Sequence, residues 1–381
     1  MTTNEYVLVI FPSCCNDARS AKIVSVARKR LALKDISIRK IIYEKKYVVV
    51  EVNNLVDAMS SLSEIYGIDR VAIARKVKSQ FQDLIDCIVK IGKQIVVPNS
   101  SFFIKIFVDE DAKIDFVSKD VQFLASSNLL TETVDNESHI KIARDAKTAD
   151  HLIICYVGRS MSYVFMHSEL GLGGLPFNFQ RRAALSTVHN PLSAASCLAS
   201  LKCGLVPDIC LLYHDSTELK DNAKFLGTIA NRTNLRRLNI KVGRIEDVTR
   251  DKSGHNFLLN EAVAISLLTL LPGRSIVIPL NVHIHSLSFV EQTIRRIRPE
   301  EKVILAPLLF LEPVDMSNLG LLEETTKIGN FNPSAAAAVN RQDYRKCYDM
   351  ADRLSQSVFD NLKNISFEIG PNYIHDIIDS I

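Results

Sequence analysis

Apolar and polar positions change period often along the first half of the chain. Residues 6–11, 36–43 and 47–52 are short apolar runs that read as strands. Residues 17–33 carry apolar positions at helical spacing on a basic background and predict an amphipathic helix. Asn54 has the chemistry of a helix N-cap and opens a helical pattern that ends near Gly67. Strand 71–74, helix 79–91, strand 102–108 and helix 118–130 follow. Residues 140–142, 152–157 and 161–167 close this half as strands, the last two joined in a hairpin at Gly158 and Arg159. The first half is therefore α+β.

From about Phe177 the rhythm changes. Apolar strands at 183–186, 209–213, 238–242, 275–279 and 303–306 alternate with helical patterns at 192–201, 219–232, 257–270 and 290–297. Such alternation predicts a doubly wound parallel sheet, whose ligands sit at the carboxyl ends of the strands. Residues 186–191 and 213–216 would lie on that edge. A helical tail is expected from about Gln342 to the end. The stretch from Gly171 to Pro176 separates the halves as a turn or linker.

Composition narrows the picture. With 47% hydrophobic and 23% charged residues the chain is ordinary globular protein. Its longest apolar run, residues 262–271, falls short of the about 20 residues a membrane span needs. The first residues lack the basic and apolar regions of a signal peptide, so the expected compartment is the cytosol, with no membrane partner. The eight cysteines contain no C-x-x-C pair, which argues against a zinc ribbon or an iron–sulfur site. Glycine is scarce: 14 of 381 residues, about half the roughly 7% that is usual. None lies between Gly174 and Gly204, where a phosphate-cradling loop after the first strand of the second half would need them.

The net charge of +3 is unevenly spread, with ten basic against three acidic residues from Asp17 to Lys46. Further concentrations run through Arg232, Arg236, Arg237, Lys241 and Arg244, and through Arg295, Arg296 and Arg298. These read either as a polyanion surface or as solvated helix faces.

The order of elements carries a resemblance. Residues 47–52, a helix, residues 68–72, a helix, Phe102 to Ile106 and the following helix together resemble a THUMP domain with its preceding ferredoxin-like module. Gly173, Gly174, Leu175 and Pro176, then a strand, a loop and an apolar helix ending near Gly204, are similar to the entry into the PP-loop domain of the tRNA 4-thiouridine synthases, or thiamine-biosynthesis sulfurtransferases. Ala306 and Pro307, with the stretch from Thr326 to Asn330, resemble that family's late strand and helix. The resemblance implies a ferredoxin-like module over residues 1–53, a THUMP-like RNA-binding domain over 54–170, and a PP-loop-like α/β domain over 177–381. It implies tRNA, gripped at the acceptor end, as partner. In the family the PP-loop domain binds ATP with Mg²⁺, adenylates a uridine, and sulfur displaces the adenylate. Members often pair as dimers, which this chain neither supports nor excludes.

The family's adenylation loop reads Ser-Gly-Gly-x-Asp-Ser. Here the equivalent positions are Ser186, Thr187, Val188, His189, Asn190 and Pro191. Two glycines give way to β-branched residues, which crowd the backbone that must approach pyrophosphate. Asn190 lacks the carboxylate charge expected to help hold Mg²⁺, and Pro191 has no N–H to donate. The family's substrate-contacting stretch corresponds to residues 278–283. The expectation is thus a retained fold with a degenerate nucleotide site, in which Ser186, Thr187, His189, Asn190, Tyr213 and His214 line the crevice, no residue is catalytic and no cofactor is bound. Such a protein would act in or alongside tRNA thio-modification, with a modification enzyme supplied by another chain. The alternative is an active ATP-dependent tRNA sulfurtransferase with an altered loop, using ATP and Mg²⁺. RNA contacts are expected from Arg28, Lys29 and Arg30 and from Lys76, Lys78, Lys105, Lys113 and Lys119.

Other signals are read blandly. Cys197 and Cys203 are expected as buried thiols in preference to sulfur carriers, and Cys14 with Cys15 as a partly buried loop pair in preference to a redox or metal site. His283 and His285 would place two imidazoles on one side of an extended segment, but no third metal ligand is in view. His189 is polar surface or a general base.

Overall fold

The computed structural model describes residues 5–13, 17–44, 46–133, 140–246, 254–312, 341–370 and 373–381. The chain divides into two compact units, Met1–Ser63 with Ile68–Gly171, and Glu64–Gly67 with Leu172–Ile381. Among the described residues no helix is long and apolar enough to cross a membrane.

The first unit begins β1 (Tyr6–Pro12), α1 (Asp17–Leu33), β2 (Ile38–Tyr43), β3 (Val48–Val52), α2 (Leu55–Ser63) and β4 (Ile68–Lys78). The strands lie in the order β2-β3-β1-β4, each antiparallel to its neighbour, with Leu8 opposite both Val50 and Ile73. This is a ferredoxin-like βαββαβ unit. A module boundary at residue 53 falls inside it, between β3 and α2, because β4 is the strand that pairs with β1. Helix α1 turns Ile23, Val26, Ala27 and Leu31 inward, an i, i+3, i+4, i+8 stripe. Every residue from Val7 to Ile10 is fully buried, so both faces of β1 are covered.

The sheet continues through α3 (Phe81–Ile95), β5 (Ser101–Val108), α4 (Ser118–Thr133), β6 (Lys141–Ile142), β7 (His151–Val157), β8 (Met161–Phe165) and β9 (Ser168–Leu170). Its nine strands run β2-β3-β1-β4-β8-β7-β5-β6, with β9 also on β4. Strands β7 and β8 form the antiparallel hairpin, while β5 is parallel to both β6 and β7. Helices α3 and α4 cross closely at Gly92, where a Cβ would sit 2.5 Å from Leu129 Cδ2. Below them Phe102, Ile104, Ile153 and Val157 form the core. The other sheet face gathers Phe11, Tyr47, Tyr156, Tyr163 and Phe165, with Tyr47 and Tyr156 edge to face at 5.0 Å.

The second unit carries β10 (Ala183–Val188), α5 (Pro191–Lys202), β11 (Val206–Tyr213), α6 (Ser216–Asn231), β12 (Arg237–Arg244), α7 (Gly254–Leu270), β13 (Ser275–Val277), α8 (Leu287–Ile297) and β14 (Val303–Leu305). After these come α9 (Arg341–Asp360), β15 (Lys363–Glu368) and α10 (Tyr373–Asp379). The sheet order is β14-β13-β10-β11-β12-β15. Five strands are parallel and β15 is antiparallel to β12, with Ile240 opposite Ile365. The tail is therefore not helical to the end: Ile365 and Phe367 alternate with polar residues and bury one strand face. Helices α5, α6 and α10 cover one face of the sheet, and α7, α8 and α9 the other. The chain order reverses between β10 and β13, which places the switch point of the sheet beside the carboxyl end of β10. Entry to β10 passes through Gly174 at φ +75°, where a Cβ would meet the Lys202 carbonyl oxygen at 2.5 Å.

The stretch 326–330, Lys45 and the Cys14–Cys15 pair lie outside the described residues.

Candidate functional site

At the end of β10 the chain turns into α5 through His189 and Asn190. Asn190 is extended and caps the helix, its Oδ1 accepting the Ser193 N–H at 2.8 Å. Ser193 Oγ returns the favour, accepting the N–H groups of His189 at 2.9 Å and of Asn190 at 3.0 Å. Pro191 opens the helix with no N–H. The donors that a phosphate loop aims outward are thus bonded to the loop's own side chains.

Three strand ends of this sheet meet α7. His214, after β11, has its Nε2 3.0 Å from Asn260 Oδ1. His285, in the turn after β13, stacks between Phe257 and Phe289, with centroids 5.6 and 5.3 Å away. Between them Glu261 reaches the end of β10: its Oε1 accepts from Asn190 Nδ2 at 2.7 Å and lies 3.4 Å from His189 Nε2. The last is ion-pair distance without hydrogen-bond alignment. Glu261 is 0% exposed.

Burial alone would raise the Glu261 carboxyl, but His189, His285 and the Asn190 amide outweigh it and hold it below the ordinary carboxylate value. Burial holds the His285 imidazole below its ordinary value against the pull of Glu261. Among the described residues, five buried polar atoms of these strand ends and α7 have no hydrogen-bond partner: Thr187 Oγ1, both ring nitrogens of His189, Glu261 Oε2 and His285 Nε2. The arrangement supplies a fixed negative charge where a phosphate loop supplies converging N–H donors. Among the described residues no three His, Cys, Asp or Glu side chains are grouped to hold a metal ion.

Of the crevice residues named from sequence, His189 and Asn190 come together at Glu261, and Thr187 is buried with its hydroxyl unpartnered among the described residues. Ser186 points elsewhere, beside the Cys197 thiol of α5, which burial pushes up to about 12. Tyr213 packs against the core on the α5 side, and His214 is tied to Glu218 by its N–H and to Asn260 by its ring. Asn281 is structural: its Nδ2 donates to the carbonyls of Leu308 and Leu311 at 2.6 and 2.8 Å. His283 and His285 do not share a side, because the segment is a turn that exposes the first and buries the second. Cys203 is exposed at the end of α5 rather than buried like Cys197. Glu261 escaped the sequence reading; the signal was a carboxylate inside the apolar helix pattern 257–270.

The basic positions distribute over α1, β4, β5 and the region leading into α4. Arg28, Lys29, Lys78, Lys113 and Lys119 are exposed. Lys76 pairs with Glu51 at 3.2 Å. Lys105 sits 4.8 Å over the ring of Phe107, itself exposed and stacked on Tyr156. Arg30 is 3% exposed and its Nε donates to the Ser61 carbonyl at 3.2 Å, so it holds α1 to α2 and is not a surface contact.

No model of a known protein family matches the sequence, and no curated protein does. Solved structures do match. A 4-thiouridine synthetase in complex with RNA and with bound ATP superposes with a TM-score of 0.67 at 12% identity, over 96% of this chain and 100% of that one. PH1313 from Pyrococcus horikoshii OT3 gives 0.62 at 14% identity, over 85% of this chain and 99% of that one. The likeness is one of fold. It extends over both units, so the α+β first half and the doubly wound second half each have a counterpart of like fold in that structure.

Proposed function

We propose that the chain is a tRNA-binding protein on the 4-thiouridine synthetase fold whose second unit has lost ATP chemistry, acting in or alongside tRNA thio-modification with a catalytic partner chain. The observation that carries the reading is the head of α5. The N–H groups of His189, Asn190 and Ser193 are bonded to side chains of the same loop, and the Asn190 amide is committed to Glu261. A loop whose donors are bound internally has few left for a pyrophosphate. Support for RNA comes from the fold shared with a structure described as an RNA complex, and from exposed cations on the first unit.

The nucleotide half is tested by ATP–pyrophosphate exchange in the presence of tRNA. No exchange is expected; robust exchange abolished by Asn190→Ala would favour an active sulfurtransferase with an altered loop. The RNA half is tested by titrating tRNA at two ionic strengths. Affinity should fall steeply with salt, and Arg28→Ala with Lys29→Ala should flatten the log–log slope by roughly 0.7–0.9 per lost phosphate contact. An affinity indifferent to salt would remove RNA from the reading.

A further inference from the structure

The head of a helix that follows a central parallel strand, at the switch point of a doubly wound sheet, is where such folds bind a ligand's phosphate. The unsatisfied N–H groups there amount to roughly half a positive charge. In this chain α5 occupies that place, and a negative group already stands at its head. It comes from α7: the Glu261 carboxylate, fully buried, accepts from the cap residue Asn190 and lies 3.4 Å from His189 Nε2.

A carboxylate is almost never fully buried unless it is paired, and buried polar atoms without partners are rare. Yet among the described residues the second carboxylate oxygen has no partner, nor has either ring nitrogen of His189 or the Nε2 of His285 beside it. Alternation along β10 turns Thr187 to the α7 side, as it turns Leu185 into the core built on α7. Two imidazoles and an amide therefore converge on a charge where the surrounding helix would otherwise place an apolar side chain, and the Thr187 hydroxyl lies on the same side of β10. This is the donor set of an oxyanion pocket, arranged around an oxyanion that belongs to the chain.

We infer that Glu261 is an internal occupant of the anion position at the head of α5, standing where a ligand's phosphate would stand and keeping an external oxyanion out. The inference deepens the proposal that the second unit binds no nucleotide, and rests on it. It makes the crevice a latent oxyanion site closed by one residue. Removing that carboxylate leaves the Asn190 amide and the His189 and His285 rings around a space the size of a small carboxylate.

The test is chemical rescue of the full chain. Thermal unfolding of the wild type and of Glu261→Ala and Glu261→Gln is followed in chloride, formate, acetate and phosphate at constant ionic strength. The wild type should unfold at the same temperature in each. Glu261→Ala should unfold several degrees lower in chloride and recover, saturably, at least half of that loss in formate or acetate. Glu261→Gln, whose amide fills the space, should not respond. A folded Glu261→Ala that is indifferent to the anion, or a wild type that shows the same saturable response, overturns the inference. Should Glu261→Ala fail to fold in chloride, its refolding yield is read instead: formate or acetate restores it if the inference holds, and equal yields across anions defeat it. ATP–pyrophosphate exchange by the wild type would defeat the nucleotide-free reading itself, whereas no exchange together with an anion-indifferent Glu261→Ala defeats only the inference.

Discussion

Helices α5 and α6 follow neighbouring parallel strands, start at the same edge of the same sheet and are both capped by an Asx side chain, yet their heads are built differently. At α6 the cap is Asp215, whose Oδ1 accepts the N–H groups of Thr217 and Glu218 at 2.8 and 3.0 Å. It supplies both the hydrogen bonds and the negative charge that a helix N-terminus favours. At α5 the cap is the neutral Asn190, and the charge comes from Glu261, 71 residues further along. The exposed bonds of one head are completed locally; the half-buried head draws on another element. Where water is excluded, an amide can do what a carboxylate cannot: accept from the helix with one end and donate to a buried anion with the other.

The comparison breaks most visibly at Glu261. Glu261→Ala strips the anion from His189 and Asn190, and losing one partner of a buried ionic group typically costs about 3–5 kcal/mol. Urea denaturation should show that loss in the midpoint with little change in slope. Exchanging the caps comes next. Asn190→Asp places a second carboxylate within 2.7 Å of Glu261 Oε1, where two like charges repel and raise the affinity of the pair for a proton. We expect a loss of about 2–4 kcal/mol at neutral pH, since a buried polar bond becomes a like-charge contact. The loss should shrink as the medium is acidified, as one carboxyl of the pair takes up a proton above the ordinary carboxylate range. A variant as stable as the wild type at pH 7 would mean that Glu261 is not held beside the cap.

The same contrast shows what could be read in the sequence. Helix α1 is legible over its full span of residues 17–33 because its stripe is regular, and that stripe, extended by seven from Ile23, already includes Arg30. Counting charge hid what counting positions displays: Arg30 belongs to the buried face. The β10 to β14 alternation was equally plain, since buried parallel strands are short apolar runs between helices. Strand β15 was not, because it joins the sheet across 121 positions, from Val242 to Lys363, and only one of its faces is buried. The altered loop 186–191 was visible as missing glycines, but its replacement charge was not. Glu261 meets Asn190 only through tertiary packing, and no local period announces a carboxylate that pairs 71 residues away. The pairing of β1 with β4 across residue 53 was hidden for the same reason: the two are partners set by the fold, not by adjacency.

Acidification should undo the α5 head in two steps. His285 is held below the ordinary imidazole value, about 6.5, so the unfolded chain takes up its proton first. Its contribution to stability is complete above that value and is lost as the pH falls through and below it. Glu261 is likewise depressed, so its contribution is present above the ordinary carboxylate value, about 4.3, and disappears as the pH falls further. Stability should therefore decline in two stages, beginning near pH 6.5. His285→Gln should remove the first stage and leave the second, and a profile flat between pH 7 and 5 would contradict the burial of that ring.

The smallest effect belongs to the exchange at the other helix. Asp215→Asn keeps an oxygen acceptor for Thr217 and Glu218, and Asn is as good a cap as Asp, so only the interaction of the charge with the helix end is lost, about 0.3–1 kcal/mol. Added salt should reduce even that difference, because this head is open to solvent and the interaction is screened. The substitution is the reverse of Asn190→Asp in chemistry and far weaker in consequence. Denaturation of the two variants in parallel, at low and high salt, measures the distinction: the Asp215→Asn loss should fade with salt while the Asn190→Asp loss persists. Equal and equally screened losses would place both caps in water, and Glu261 with them.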